Sequence, residues 1–164
     1  MITETQVDKM ICVELRSATP ADGGALIEMY RGFEPKGAAL GLPPRKEIEK
    51  WLDGLARYLN FVVFVDGCLA GQGALCSAGH TGEVALFVHQ DFRKRGLGQR
   101  LLAAMVSEAR LAGLRRIWGT AEMVNYGALG MARALGFVAG KYPNEYYLDL
   151  KKSEPAEKEP VSCT

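Results

Sequence analysis

The sequence predicts an α+β domain, in which helices pack against a mixed β-sheet. Three observations support this: short apolar runs typical of strands, segments with apolar residues at helical spacing, and glycine- or proline-rich turns between them. Taken in order, the elements read β-α-α-β-β-β-α-β-α-β-β, which suits one sheet covered by helices. A chain of 164 residues has room for one such domain.

The first part of the chain is predicted to hold one strand, two helices and a loop. The strand covers 11–16, and a helix over 20–30 follows, with Thr19 as its N-cap. The segment 32–44 is rich in glycine and proline and is expected to be an irregular loop. A second helix over 45–59 is predicted because its leucine, isoleucine and tryptophan residues form one apolar stripe.

The second part alternates strands and helices. Asp66-Gly67 is a strong hairpin signal between two predicted strands, and Gly113 is expected to end the third helix. The predicted strands cover 61–65, 68–76, 83–89, 116–121, 137–139 and 145–150, and the predicted helices cover 98–111 and 125–135.

The two ends of the chain are expected to lie outside the domain. Residues 1–10 are polar and aperiodic and are predicted to be a loose leader. Residues 151–164 balance lysine against glutamate and contain two prolines, which predicts a disordered tail. The domain itself is assigned to 11–150. No signal peptide and no membrane-spanning segment is predicted.

Composition narrows the set of partners. The formal net charge of +1 argues against nucleic acid or a membrane surface as a partner. The four cysteines, Cys12, Cys68, Cys76 and Cys163, stand far apart, and none forms a Cys-x-x-Cys pair. We therefore predict no metal site and largely buried, reduced thiols in a cytoplasmic protein. The oligomeric state stays open, a homodimer included.

One segment has the character of a phosphate-binding turn. A predicted strand ends near Val88, and a turn with Gly96 and Gly98 opens the next helix, where unpaired backbone N–H groups and the helix dipole favour an anion. A dinucleotide fingerprint would need a third glycine where Leu101 stands, and the Gly-Lys-Ser/Thr of a Walker loop is absent. Four basic residues surround the turn: Arg93, Lys94, Arg95 and Arg100.

Two separate motifs resemble those of one family. Arg93-x-x-Gly96-x-Gly98 at a strand-to-helix junction resembles the acetyl-CoA pyrophosphate motif of the GNAT superfamily of N-acetyltransferases. Asn125-x-x-Ala128-x-x-x-Ala132-x-x-Leu135-Gly136-Phe137 resembles the superfamily's later motif, in which a helix ends in Leu-Gly-Phe. The resemblance covers about 12–150, in the superfamily's element order.

The resemblance implies a GNAT-like acyl-CoA N-acyltransferase fold. Two parallel strands are expected to splay apart, with acetyl-CoA as cosubstrate in the gap and no metal. Backbone groups of Leu86, Phe87 and Val88 are expected to pair with the pantetheine arm, and Asn125 to lie near the thioester. Backbone amides of the turn are expected to hold the pyrophosphate, at Arg93, Lys94, Arg95, Gly96, Leu97, Gly98 and Gln99.

Glu83 is the candidate general base. The strand around it is most similar to the bacterial protein-lysine acetyltransferase branch, where a glutamate at this position serves as base. Strand alternation places Glu83 on one face with Ala85 and Phe87, and apolar neighbours would raise its pKa. A solvated residue at a strand start is the other interpretation. Glu122 is the fallback base.

The general acid is left open. Many superfamily members carry a tyrosine four residues before the glycine of Leu-Gly-Phe, and Ala132 stands there in this chain. The alternatives are one of Tyr126, Tyr142, Tyr146 and Tyr147, or no acid at all.

The resemblance implies an acetyl-CoA-dependent N-acetyltransferase acting on a primary amine. The acceptor is a protein lysine or a small amino compound, and the loop 32–44 with the early helices is expected to line its site. The alternative is a non-catalytic sensor that binds acyl-CoA and reports it to a partner. The absent tyrosine favours the sensor, and Glu83 favours the enzyme.

Overall fold

The computed structural model describes residues 10–37 and 42–150, so the predicted leader and tail lie outside the described residues, Met10 excepted. The elements follow in the predicted order. The strands are β1 (Val13–Ser17), β2 (Leu59–Val65), β3 (Cys68–Ala78), β4 (Thr81–Val88), β5 (Arg116–Thr120), β6 (Val138–Ala139) and β7 (Glu145–Asp149). The helices are α1 (Gly23–Arg31), α2 (Ile48–Leu55), α3 (Leu97–Leu111) and α4 (Tyr126–Ala134).

The strands form one sheet in the order β1-β2-β3-β4-β5-β7-β6. Neighbouring strands are antiparallel except β4 and β5, which are parallel because α3 carries the chain back between them. The predicted mixed sheet is confirmed. Its single parallel pair lies in the middle.

Each face of the sheet carries its own apolar core. On one face α3 packs its fully buried Leu101 and Met105 against the sheet near Ile117. On the other face α1 and α2 cover a smaller aromatic cluster that includes Tyr30 and Phe87. Successive residues of β4 serve the two cores alternately, as a strand with two covered faces requires.

Both early helices begin later than predicted. A 3₁₀ turn over Pro20–Asp22 precedes α1, and the carboxylate of Asp22 accepts the backbone N–H of Thr19 at 2.7 Å. Glu47 has a left-handed backbone (φ 56°), so α2 starts only at Ile48. The Asn60 side chain donates to the Leu55 carbonyl at 2.8 Å and ends α2 earlier than predicted.

The prediction of largely buried thiols is wrong for the described cysteines. Cys12 and Cys68 are exposed, and Cys76 is half-buried. Cys68 opens β3 directly after the tight turn at Asp66 and Gly67, at the end of the strand that meets solvent.

Candidate functional site

The two parallel strands separate part-way along their length. The pairing of β4 with β5 joins residues 81–83 to 116–118, although β4 continues to Val88. No ladder joins the two strands beyond residue 83 in the ranges that the structure describes. A Cβ at Gly119 would lie 3.2 Å from the Val84 carbonyl oxygen, so glycine allows close approach just before the strands diverge. The predicted splay is confirmed.

Alternate residues of β4 direct their backbone groups into this gap. The His89 N–H donates to the Ala70 carbonyl at 2.8 Å, so residues in phase with His89 face β3. Leu86 and Val88 are out of phase with it and therefore face the side where β5 has diverged. Phe87 directs its backbone groups to β3, and its ring is buried in the aromatic cluster.

The turn after β4 opens α3 with free backbone donors. Gly96 is the N-cap of α3 and has a left-handed backbone (φ 75°). The Arg100 N–H donates to the Gly96 carbonyl at 3.2 Å, so Leu97, Gly98 and Gln99 precede the first intrahelical donor. Their N–H groups and the positive end of the helix dipole form a site suited to an anion.

Positive side chains surround the turn. Lys94, Arg95 and Arg100 are exposed, and Lys94 also has a left-handed backbone (φ 61°). The Arg95 guanidinium lies over the Phe92 ring, 5.5 Å from its centroid. These charges add a long-range attraction for phosphate to the short-range donors of the backbone.

The two glycines of the turn serve different purposes. A Cβ at Gly98 would lie 3.1 Å from the Met131 sulfur and 3.6 Å from side-chain atoms of Leu86 and Val88, so this glycine lets α3 pack closely on β4 and α4. A Cβ at Gly96 would meet no described atom within 4 Å. The open approach to the backbone is therefore at Gly96, whose positive φ disfavours other residues.

Gln90 and Arg93 join the turn to the segment after α1. The Gln90 side chain donates to the Gly32 carbonyl at 2.6 Å and accepts the Glu34 N–H at 3.0 Å. The Arg93 guanidinium donates to the Glu34 carbonyl at 2.6 Å and to the Val88 carbonyl at 2.9 Å. Partial burial lowers the pKa of Arg93. We call these four hydrogen bonds the Gln90–Arg93 link.

Glu83 lies at the point where β4 and β5 separate. It is the last residue of β4 that pairs with β5, and it is flanked by Cys76 on β3 and Trp118 on β5, all on the face that holds Ala85 and Phe87. Glu83 remains exposed, yet partial burial of its carboxyl raises its pKa. The predicted face and the predicted direction of the pKa shift are both confirmed.

The later motif places its residues at the start and on the inner side of α4. Asn125 is the N-cap of α4, and its side-chain oxygen accepts the Ala128 N–H at 3.1 Å. Ala132 packs against the α3 core. Glu122, the fallback base, is exposed, and Tyr126 is 80% exposed.

Sequence reasoning missed part of this arrangement. Gln90 lies between a predicted strand and a predicted helix, and no local pattern shows that its amide reaches the segment after α1, more than 50 residues away. Trp118 lies within the predicted strand 116–121, and no local pattern shows that it belongs to neither apolar core. Within 10–37 and 42–150, no group of three or more His, Cys, Asp or Glu side chains could hold a metal. Of the helices in the same ranges, none has the length and hydrophobicity needed to cross a bilayer.

Residues 25–137 match the acetyltransferase (GNAT) family, and this span is well over half of the chain. The chain belongs to the GNAT family. It is an N-acetyltransferase, and the splayed strands, the glycine turn and the later motif occur where this family assignment leads us to expect them.

Named relatives share moderate identity with this GNAT chain. The L-amino acid N-acyltransferase MnaT of Escherichia coli K12 is 28% identical over 137 residues, which cover 77% of this chain and 80% of the relative. The [ribosomal protein bS18]-alanine N-acetyltransferase of Salmonella typhimurium LT2 is 29% identical over 103 residues, which cover 61% and 68%.

Solved structures share the fold at lower identity. The structure of yncA from Salmonella typhimurium with its cofactor acetyl-CoA has a TM-score of 0.67 at 22% identity, covering 93% of this chain and 99% of that one. An N-acetyltransferase from Staphylococcus aureus Mu50 has a TM-score of 0.69 at 20% identity, covering 85% and 99%.

Proposed function

We propose that this protein transfers the acetyl group of acetyl-CoA to a primary amine, with Glu83 as general base. The observation that carries the proposal is the separation of β4 from β5 immediately beyond Glu83. The gap runs along β4 from Glu83 to Val88, roughly 17 Å for five steps of about 3.3 Å each. It leads from a carboxylate at one end to the glycine turn at the other.

This arrangement suits a long extended arm that ends in a pyrophosphate. Backbone groups of Leu86 and Val88 face the gap and can bond the amides of a pantetheine arm as a further strand would. The N–H groups of the turn from Arg93 to Gln99 can hold the pyrophosphate, and the exposed Lys94 and Arg95 add charge. That yncA was solved with acetyl-CoA on the same fold supports this assignment.

Glu83 supplies what the acceptor lacks. An alkyl amine with a pKa near 10.4 is protonated at neutral pH and is not a nucleophile until a base removes a proton. Glu83 takes that proton, the amine nitrogen bonds to the thioester carbonyl carbon, and the carbon–sulfur bond breaks. A backbone N–H of β4 that faces the gap near Glu83 can donate to the negative charge that develops on the carbonyl oxygen.

No tyrosine is required for departure of the thiolate. Ala132, which stands at the position of the usual tyrosine, has no proton to give. A thiol with a pKa near 8.5, as in cysteine, is a leaving group that water can protonate. We therefore propose a single protein base and no protein acid.

The choice of acceptor is narrowed by the charge on the early helices and by the named relatives. A cleft of about 540 Å³ between α1 and α2 is lined mainly by basic residues. They are Arg31, Lys36, Arg45, Lys46 and Lys50. Glu47 and Glu49 also line the cleft, and its net positive charge disfavours the approach of polyamines over this side of the domain. The relatives named for an L-amino acid and for a ribosomal-protein alanine favour an amino acid or a protein amino terminus over a lysine side chain.

The proposal is tested with purified protein, acetyl-CoA and a panel of acceptors: free amino acids, a peptide with an amino-terminal alanine, and an amino-terminally blocked lysine peptide. Product is followed by mass spectrometry, because the exposed Cys12 and Cys68 would react with a thiol reagent. Acetyl-CoA should raise the melting temperature, because a ligand at 100 times its Kd adds about 2.7 kcal/mol to the free energy of unfolding. NAD should not raise it. Absence of a shift at millimolar acetyl-CoA would exclude the cosubstrate.

A further inference from the structure

A row of side chains crosses the sheet through Glu83. Strand register places one residue of each successive strand in line with it, on the same face: Cys76 on β3, Trp118 on β5, Tyr147 on β7 and Val138 on β6. Neighbouring strands lie about 4.8 Å apart, so Trp118 and Tyr147 follow Glu83 at roughly 5 and 10 Å.

The helices cover only one side of this row. On this face α1 and α2 pack over Val62, Phe64, Ala85 and Phe87, which belong to β2 and β4. Trp118 and Tyr147 are half-buried and belong to neither apolar core. Among the described residues, the aromatic half of the row therefore has no helix packed over it.

The Tyr147 ring is held in place by an arginine of the neighbouring strand β5. The Arg116 guanidinium lies over this ring at 4.0 Å from its centroid. Arg116 is itself paired with Asp149 through two hydrogen bonds, of 2.6 and 3.0 Å. Asp149 and the nearby Glu145 offset the positive charge of Arg116, so the aromatic surface beside Glu83 carries no excess positive charge.

We propose that Trp118 and Tyr147 bind the body of the acceptor, which is an apolar alkyl or aryl group bearing the primary amine. This rests on the proposed function, because the amine must reach Glu83. From there the body of the acceptor can extend in two directions along the sheet face. Towards β3 the helices and their aromatic cluster fill the space, and towards β7 the aromatic pair is open. The apolar group is several carbon atoms long, since it spans one to two strand spacings.

The test compares 2-phenylethylamine with ethanolamine, which carry the same amine on an aryl and on a hydroxyl group. Burial of a phenyl group predicts a kcat/KM about 10- to 100-fold higher for 2-phenylethylamine. Trp118→Ala should lower this value about 10-fold more than it lowers that of ethanolamine. Trp118→Phe, which keeps an aromatic ring, should restore most of the preference. Tyr58→Ala, an exposed aromatic residue between α2 and β2, is the control and should change neither value.

A binding measurement separates this inference from the assignment of the base. Calorimetric titration of 2-phenylethylamine into the protein saturated with coenzyme A should show binding that weakens about 10-fold in Trp118→Ala. An active Glu83→Gln with this dependence on Trp118 would refute the base and keep the aromatic site. If Trp118→Ala does not fold, Tyr147→Leu carries the same test.

Three results would overturn the inference: equal kcat/KM for the two amines, an equal loss for both in Trp118→Ala, or no binding of 2-phenylethylamine. A blocked lysine peptide that is acetylated more efficiently than 2-phenylethylamine would also overturn it, because a long charged side chain gains little from this surface.

Discussion

The cofactor turn and the acceptor face both adjoin β4, but they are built in different ways. The turn from Arg93 to Gln99 is made of backbone groups contributed by seven consecutive residues. The acceptor face is made of side chains from separate strands, brought into line by register. A site built from consecutive backbone can be recognised from a short motif. A site assembled across strands depends on pairings that the motif does not contain.

The turn is joined to the aromatic cluster that bounds the acceptor face on its helix-covered side. The Gln90–Arg93 link ties the carbonyls of Gly32 and Glu34 to the first part of the turn. Phe33, which lies between them, is buried in that cluster, so whatever holds the phosphate also fixes this wall of the acceptor face. The comparison can be tested by variants that alter one region, the other, or the link.

The largest expected effect is at Glu83. Glu83→Gln keeps the size of the side chain and removes its basicity, so turnover should fall roughly 10²–10⁴-fold. Affinity for acetyl-CoA, measured by calorimetry, should hardly change, since the turn and the gap hold the cosubstrate. Unchanged turnover at neutral pH would assign the base to Glu122, and activity in both glutamine variants would leave positioning alone to carry the reaction.

The pH dependence of the rate is a second test of Glu83 as the base. Because burial raises the pKa of Glu83, the wild-type rate should fall as the pH drops through that raised value and the carboxylate gains a proton. The rate of Glu83→Gln should not show this decrease at low pH. Its deficit should shrink at alkaline pH, where more of the amine is already neutral.

The sequence was most informative where local rules decide the structure. Alternation along β4 correctly separated the face of Glu83 from that of Leu86, and the motif around Gly96 correctly marked the start of α3. It was least informative where long-range contacts decide. A tryptophan in a strand is expected to lie in an apolar core, because large aromatic residues are usually buried. Only the register with Tyr147 shows that Trp118 belongs to a face that no helix covers.

A smaller effect is expected at the turn. Gly96→Val forces a β-branched residue into a left-handed backbone, at a cost of about 1–3 kcal/mol, and displaces phosphate from the open approach. The Kd for acetyl-CoA should rise about 10- to 100-fold. Gly67→Val is a matched control, since Gly67 also has a positive φ (80°) and open space, but it lies in the β2–β3 hairpin. It should lose stability and keep the affinity. Normal binding by Gly96→Val would remove the turn as the phosphate site.

The smallest effect is expected at the link. Gln90→Ala deletes two hydrogen bonds, each contributing about 0.5–1.5 kcal/mol, and leaves the Arg93 contacts in place. The segment after α1 is loosened while the turn keeps its backbone geometry. The acceptor KM should therefore rise about 3- to 10-fold, with the acetyl-CoA Kd within about twofold.

A more specific test of Gln90 is whether coenzyme A and the acceptor strengthen each other's binding. In the wild type, coenzyme A should tighten acceptor binding, and the acceptor should tighten coenzyme A by the same factor, as linkage requires. In Gln90→Ala that factor should approach one. Gln90→Glu keeps the acceptor for the Glu34 N–H but sets a carboxylate against the Gly32 carbonyl, so it should lose coupling as well. An equal loss of affinity for both ligands would make Gln90 a support of the turn alone. Intact coupling in Gln90→Ala would show that the coupling between the two ligands does not pass through Gln90.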